Sequence, residues 1–226
     1  MRYRHVVGVT ALGCAAAACI FLARRWQLRW GATGQESSEP LPGDDLIADP
    51  DLTATRAITV GVPAGQVWPW IAQLGQGRGG FYSYDFLENL VGCHIHSADR
   101  IVPEWQDAGV GDEIKLAPQV GLVVALLERG RSLVLRGGVP MGNAPPPYHF
   151  TWAFVLRDEL SGATRLLVRE RYAYTRPWAR LLVEPVEVVS FVMSQKMLRG
   201  IRHRAEYSAA LQGEPGTEPV LGAGAV

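Results

Sequence analysis

The amino-acid sequence predicts an α+β domain in which a curved antiparallel sheet wraps around a long C-terminal helix. Apolar and polar residues alternate in several segments in the middle of the chain, which is typical of strands with one buried face. An apolar stripe at three- and four-residue spacing near the end indicates an amphipathic helix. Strands and helices that are segregated along a chain in this way favour the α+β class.

The composition limits the classes of function. The 226 residues are 48% hydrophobic, and 22 basic residues balance 22 acidic ones, so no net field attracts nucleic acid. Of three cysteines, Cys14 and Cys19 lie in an apolar run and Cys93 stands alone, so we expect no disulfide framework. We predict no cofactor.

An uncharged run at residues 6–23 is predicted to be a single transmembrane anchor, preceded by a flank at residues 1–5. Its length of about 18 residues is at the lower end for a membrane crossing, and a cleaved signal peptide or a buried helix are the alternatives. The excess of arginines after the run, at positions 24, 25 and 29, favours a cytoplasmic domain at the cell membrane.

Composition also divides the rest of the chain. Residues 24–53 are predicted to be a juxtamembrane segment and linker, because residues 31–51 are rich in Gly, Ser, Asp, Glu and Pro. Residues 54–211 form the predicted domain. Residues 212–226 are rich in Gly, Pro and Ala and are predicted to be a disordered tail.

The domain opens with a predicted strand at Thr55–Val62, followed by a helix that begins at Pro63. The glycine cluster Gly75–Gly80 ends this helix, and we expect positive φ angles there rather than a phosphate loop, because a helix and not a strand precedes it. A second short helix is predicted at about residues 82–91. Further strands are predicted at Asp112–Leu116, Leu122–Leu127, Leu133–Arg136, Tyr148–Arg157 and Thr164–Thr175.

The final predicted helix spans Thr175 to about Tyr207. Pro185 interrupts it, and a proline ring clashes with the preceding turn, so we expect a kink or restart there. The apolar stripe of the longer piece consists of Val186, Val189, Met193, Met197, Gly200 and Ile201.

Strand alternation places Glu170 on the inner face of the last strand, with Val168, Tyr172 and Tyr174. A carboxylate among apolar groups is costly unless it is paired. It is therefore a structural partner of an arginine such as Arg136, the holder of a ligand's polar end, or a general acid/base. The arginines at positions 165, 169 and 171 point to the other face.

This element order, with several local motifs, resembles the START/polyketide-cyclase-like superfamily (SRPBCC), which has the helix-grip fold. The motifs are Val62–Ala64 with Val67–Trp70, Gly79–Ser83, Ala163–Leu166, and Glu184–Pro185 followed by Met197, Leu198 and Arg202. The resemblance implies an apolar cavity between sheet and helix. It also implies a role in binding lipids, sterols, hormones or polyketides, or, in a few members, in cyclisation or dehydration, without a shared catalytic motif.

His94 and His96, with Asp99 and Glu104, are possible metal ligands because residues two apart in an extended segment point the same way. No second pair with standard ligand spacing completes a site, so we predict no metal.

We therefore expect a membrane-anchored module that binds a hydrophobic small molecule or lipid. The alternatives are a cyclase- or dehydratase-like enzyme using Glu170, with a neighbouring tyrosine or His149, and a scaffold protein with a closed cavity. The predicted ligand-binding residues are Trp68, Phe150, Trp152, Phe154, Glu170, Tyr172, Tyr174, Val189 and Met193.

Overall fold

Six antiparallel strands form one sheet, in the order β1-β6-β5-β4-β3-β2. The structure is a computed structural model that describes residues 18–138 and 145–213. The strands are β1 (Leu52–Val60), β2 (Glu113–Ala117), β3 (Val120–Glu128), β4 (Ser132–Gly137), β5 (Tyr148–Asp158) and β6 (Thr164–Tyr174). The helices are α1 (residues 18–28), α2 (Gly34–Ser38), α3 (Ala64–Ala72), α4 (Asp85–Leu90) and α5 (Ala179–Gly213), with 3₁₀ turns at Asp44–Ile47 and Pro103–Trp105. The α+β class and the predicted element order are confirmed.

The two longest strands, β5 and β6, form the predicted hairpin. Gly162 in the turn has a φ of 81°, a conformation that glycine adopts without steric cost. The register pairs Trp152 with Glu170 and Phe150 with Tyr172, so the predicted inner faces of both strands coincide. The first strand, β1, pairs with β6 on the other side and thereby brings the start of the domain beside its end.

The C-terminal helix α5 is continuous from Ala179 to Gly213, so the predicted restart at Pro185 is wrong. Pro185 removes one backbone N–H near the start of the helix, on its exposed side, where solvent can satisfy the carbonyl that is left free. The buried face of the first half also differs from the predicted stripe: Val186 and Val189 are 50% and 62% exposed, whereas Glu187 and Ser194 are buried.

In its second half, α5 packs into the main core. Met197, Leu198 and Ile201 are almost fully buried against residues of the sheet and α3. Gly200 permits the closest approach, because a Cβ atom there would lie 2.3 Å from the carbonyl oxygen of Tyr82. The residue type at position 200 is therefore fixed by packing rather than by helix propensity.

The segment before β1, which was predicted to be a linker, packs on the outer face of the sheet. Thr33 caps α2 through a capping box with Glu36. The Glu36 carboxylate accepts hydrogen bonds from Arg165 at 2.7 and 2.9 Å, and these bonds hold the pKa of Glu36 down at about 2. Arg169 donates to Asp44 at 2.5 Å and to the carbonyl oxygen of Glu36 at 2.7 Å. The outward arginines of β6 are therefore what orders this segment.

The greater part of the predicted anchor, and the flank at residues 1–5, lie outside the described residues. Among residues 18–138 and 145–213, no helix combines the length and apolar character that a membrane crossing requires. Membrane anchoring stays a sequence prediction. Residues 214–226 of the predicted tail also lie outside the described part, while Gln212 is helical.

Replacing Gly200 with alanine is expected to destabilise the protein by about 2 kcal/mol or more, because backbone atoms of the Tyr82 segment must move. Gly65→Ala in α3 is the matched control, since a Cβ there meets nothing within 4 Å and alanine favours helix by up to about 1 kcal/mol. Denaturant unfolding of the two variants measures both effects. Equal free energies of unfolding would contradict the close approach of α5.

Candidate ligand-binding cavity

A cavity of about 600 Å³ lies between the first half of α5 and the inner face of the sheet. Its walls are mainly aliphatic and aromatic, as in most small-molecule sites. Strands β5 and β6 contribute aromatic side chains, and α5 and the segment around α4 close the remaining sides. The apolar wall includes Phe81, Ile95, Leu116, Leu122, Phe150, Trp152, Leu182, Val183, Val186, Val189, Met193 and Met197.

One wall is polar and is centred on Glu170, which is 2% exposed. Its carboxylate accepts hydrogen bonds from Arg56 Nη1 at 2.9 Å, Ser194 Oγ at 3.1 Å and Tyr172 Oη at 3.1 Å, with Ser190 Oγ at 3.0 Å from both oxygens. A carboxylate offers about four acceptor positions, so these four donors occupy its capacity. These donors therefore hold the Glu170 side chain in place.

Arg56 joins Glu170 to a second buried carboxylate. Its guanidinium donates to Glu187 of α5 through the other terminal nitrogen, and both Arg56 and Glu187 are at most 1% exposed. Glu187 also accepts hydrogen bonds from Arg24 and, at 2.7 Å, from Gln27 Nε2 of α1. The prediction that Arg136 pairs with Glu170 is wrong, because Arg136 is exposed on β4. The arginine that pairs with Glu170 is Arg56 of β1.

Burial changes the titration of groups around this cluster. It raises the pKa of Tyr172 well above the usual value, an effect that the Glu170 carboxylate reinforces, so the phenol stays a donor. Burial also raises the pKa of Glu187, against the opposing effect of Arg56 and Arg24. The two arginines therefore oppose the effect of burial on the pKa of Glu187 without cancelling it.

The opposite side of the cavity carries Glu88 and Cys93. Burial, together with the nearby Asp85 carboxylate, raises the pKa of Glu88 to about 7. Burial raises the pKa of the Cys93 thiol as well, and Glu88 adds to this, so the thiol is not activated as a nucleophile. One oxygen of Glu88 and the indole nitrogen of Trp152 are buried without a hydrogen-bond partner in the described structure.

The structure brings six of the nine predicted ligand-binding residues to the cavity wall: Phe150, Trp152, Glu170, Tyr172, Val189 and Met193. Three others lie elsewhere. Phe154 is fully buried in the core, Trp68 packs against that core from α3, and Tyr174 lies beyond the end of the cavity near Asp51 and Arg180.

Sequence reasoning missed Arg56, Glu187, Ser190 and Ser194. The signal for Arg56 was present, because it shares the inner face of β1 with Ile58 and Val60 at two-residue spacing. Glu187 and Ser194 lie two turns apart on the face of α5 that continues to Leu198 and Ile201. An apolar stripe gives no signal for either residue, because both side chains are polar.

The histidine segment does not line the cavity. His94 has a φ of 51° in a loop, and the described residues contain no group of three or more His, Cys, Asp or Glu arranged to hold a metal ion. The glycine cluster adopts the predicted positive φ values at Gly75, Gly77 and Gly80, and Gly75 pairs with Gly80 through a short antiparallel bridge.

Comparisons with known proteins give only distant likenesses. No protein-family model matches the sequence, and no curated protein matches it. Solved structures that are similar include a hypothetical protein from Helicobacter pylori (14% identity, TM-score 0.46, covering 77% of this chain and 99% of that chain). A Polyketide_cyc-like protein from Corynebacterium glutamicum has 14% identity and a TM-score of 0.40, covering 73% of this chain and 97% of that chain. A protein from Nitrosomonas europaea has 13% identity and a TM-score of 0.45, covering 72% of this chain and 99% of that chain.

Such low identities and TM-scores carry no argument about ligand or reaction. The element order, the six-stranded antiparallel sheet and the long C-terminal helix of this chain themselves fit the helix-grip architecture.

Replacing Arg56 with methionine is expected to destabilise the fold by about 3–5 kcal/mol at neutral pH, because Glu170 and Glu187 would remain buried with less compensation. The loss should shrink at acidic pH, where a carboxylate whose folded-state pKa is raised takes up a proton. Chemical denaturation across the pH range measures both effects.

The control for this change is Arg131→Met, which breaks an exposed 3.7 Å ion pair with Glu128 and should change stability by less than about 1 kcal/mol. The double variant R56M/E170Q should be less destabilised than the sum of the two single variants, since it removes both charges of one pair. Additive losses would exclude the pairing.

Glu88 is expected to make stability fall as pH rises. Its folded pKa of about 7 exceeds the reference value of 4.5, so the folded protein retains a proton that the unfolded chain has released between these values. Glu88→Gln should flatten the decrease in unfolding free energy between about pH 5 and about pH 8. Glu104→Gln, at an exposed carboxylate, should leave the profile unchanged, and identical profiles for both variants would contradict the burial of Glu88.

Proposed function

We propose that the protein binds a hydrophobic small molecule or lipid in the cavity between the sheet and α5. The observation that carries this proposal is the cavity itself, whose volume of about 600 Å³ falls within the range for small-molecule sites. Its walls combine a large apolar area with a few polar groups. A protein whose core served only for stability would gain by filling such a space, since cavities reduce stability.

The polar groups on the walls favour a ligand that is apolar over most of its length but carries a hydroxyl, carbonyl or similar group. Glu88 and Trp152 each have a buried polar atom without a partner, which is costly in the unliganded protein. A ligand group that donates to Glu88 or accepts from Trp152 would offset that cost.

Binding is favoured over catalysis by the state of the candidate catalytic groups. The Glu170 carboxylate is occupied by four donors, and the Cys93 thiol stays protonated. His149, the other candidate general base, is exposed on the outer face of β5 and does not line the cavity. None of these three groups is therefore both free and activated at the cavity wall, which weakens the enzyme alternative that uses Glu170 with a tyrosine or His149.

Val186→Trp is expected to weaken ligand retention at least about tenfold, because an indole at the cavity wall competes for the same space. Val188→Trp is the matched control: residues 186 and 188 are both valines on α5, with exposures of 50% and 48%, and residue 188 does not line the cavity. The measurement is native mass spectrometry of the purified proteins, with organic extraction of co-purifying molecules.

The chain used for this measurement should begin at residue 18, because α1 contacts α5 through Arg24 and Trp26. A discrete bound mass in the parent and in V188W, absent from V186W, would support the proposal. Equal retention by both variants would place the ligand elsewhere. If no mass is found and the neutral dye Nile red binds all three proteins equally, the cavity is not the site.

A further inference from the structure

The outward side of α5 is apolar where a helix of this kind normally carries polar residues. Leu181, Val188 and Val192 lie on one side of the helix at spacings of seven and four residues, with exposures of 80%, 48% and 44%. Val189 lies beside them with 62% exposure. A contiguous exposed apolar surface on a folded domain marks an interaction site.

Helix α1 extends this surface on one side. Arg24 of α1 pairs with Glu184 and Glu187 of α5, and the Trp26 ring lies 5.4 Å from the ring of Phe191, so later residues of α1 contact later residues of α5. The two helices therefore run in the same direction, and the N-terminal end of α1 lies towards the start of α5. That end carries three exposed apolar side chains, Ile20, Phe21 and Leu22, at 59–72% exposure.

Helix α4 extends the surface on the other side. Ser83 Oγ donates to the Met193 carbonyl oxygen at 3.0 Å, and the Lys196 ammonium lies 5.9 Å from the Tyr84 ring centroid, so the start of α4 adjoins α5. The exposed apolar residues of this part are Phe86, Leu87, Leu90 and Val91, at 45–78% exposure.

The cavity opens within this surface. Val186 and Val189 both line the cavity and are at least half exposed, and Glu88 and Cys93 line it from the α4 side. The opening is therefore between α4 and the first half of α5. We call the exposed apolar residues of α1, α4 and α5 around it the mouth face.

Charge around the mouth face is predominantly basic. Arg25, Arg29, Lys196 and Arg199 are exposed near its edges, and Arg180, which is also exposed, lies 3.6 Å from a carboxylate oxygen of Glu184. The neighbouring carboxylates of Glu184 and Glu187 are paired with Arg24, and the carboxylate of Asp85 bonds to Ser97. Apolar side chains surrounded by cations are the combination by which proteins bind the interface of anionic membranes.

The sequence supplies the argument for a membrane rather than another protein as the occupant. Residues 6–17, which lie outside the described structure, contain no charged residue and lead directly into the described part of α1, which starts with exposed apolar side chains. The mouth face is thus continuous along the chain with the segment predicted to enter a bilayer.

We propose that the mouth face docks on the surface of an anionic phospholipid bilayer, with its apolar side chains roughly 5–10 Å into the headgroup–acyl boundary. The cavity entrance then faces the membrane, and an apolar ligand enters or leaves without crossing water. The docking stands on the exposed surface alone, while the ligand transfer rests on the proposed function.

The test uses the full chain in phosphatidylcholine nanodiscs, with and without phosphatidylglycerol. Cys14, Cys19 and Cys93 are replaced by serine, and an environment-sensitive fluorophore is attached at Leu90→Cys or Val188→Cys. Leu160→Cys is the control, because it is fully exposed in the β5–β6 turn, at the far end of the strand that starts at the cavity. We expect a blue shift and quenching by nitroxide-labelled lipid at positions 90 and 188, and neither at 160.

Charge reversal separates docking from simple proximity to an anchor. Arg25→Glu and Lys196→Glu should reduce quenching at position 188 in phosphatidylglycerol nanodiscs, as should raised salt, whereas Arg131→Glu should not. The proposal fails if positions 90 and 188 respond no more than position 160. It also fails if they are shielded in detergent in a concentration-dependent way, which would assign the face to a second copy of the chain.

The outcome is independent of the cavity test. Quenching at positions 90 and 188 together with equal ligand retention in V186W and V188W would remove the cavity function and leave the docking. Loss of ligand in V186W but not in V188W, without quenching at positions 90 and 188, would leave a binding module that does not lie on the membrane.

Discussion

The buried cluster of Arg56, Glu170 and Glu187 is the interaction on which the rest of the structure depends. It joins β1, β6 and α5, three elements that are far apart in the sequence, and Arg24 adds α1. Removing these charges from water carries a large desolvation cost, which is offset when each charge has an oppositely charged neighbour and hydrogen-bond partners. The serine and tyrosine hydroxyls around Glu170 fill the acceptor positions that Arg56 leaves, whereas Arg56 Nε is buried without a partner in the described structure.

The same cluster explains why a cavity is present. The second half of α5 is held by apolar packing of Met197, Leu198 and Ile201 in the main core. The first half is held largely by ion pairs and hydrogen bonds along one side. Directional polar contacts fix the position of a helix without filling the volume beside it, so the aromatic face of β5 remains partly uncovered.

Strand β6 performs two tasks through its alternation. Its inward residues supply Glu170 and Tyr172 to the cavity wall, and its outward arginines order the segment before β1 through Glu36 and Asp44. Both faces of this strand therefore carry charge, and each charge has a partner from a distant part of the chain. The apolar interior of the cavity continues through Val186 and Val189 to the exposed surface of α5, which connects the proposed ligand site with the proposed membrane face.

Periodicity in the sequence determined the element types and their order, and it placed Glu170 inward and Arg165 and Arg169 outward, because side-chain direction in a strand is a local property of the backbone. It did not determine their partners. Arg56 reaches Glu170 only because β1 pairs with β6, and Asp44 reaches Arg169 only because the preceding segment folds back over the sheet. The buried face of α5 was likewise decided by the tertiary structure. An apolar stripe indicates which side of a helix can be buried, but a polar side chain such as Glu187 is buried only where distant residues compensate its charge.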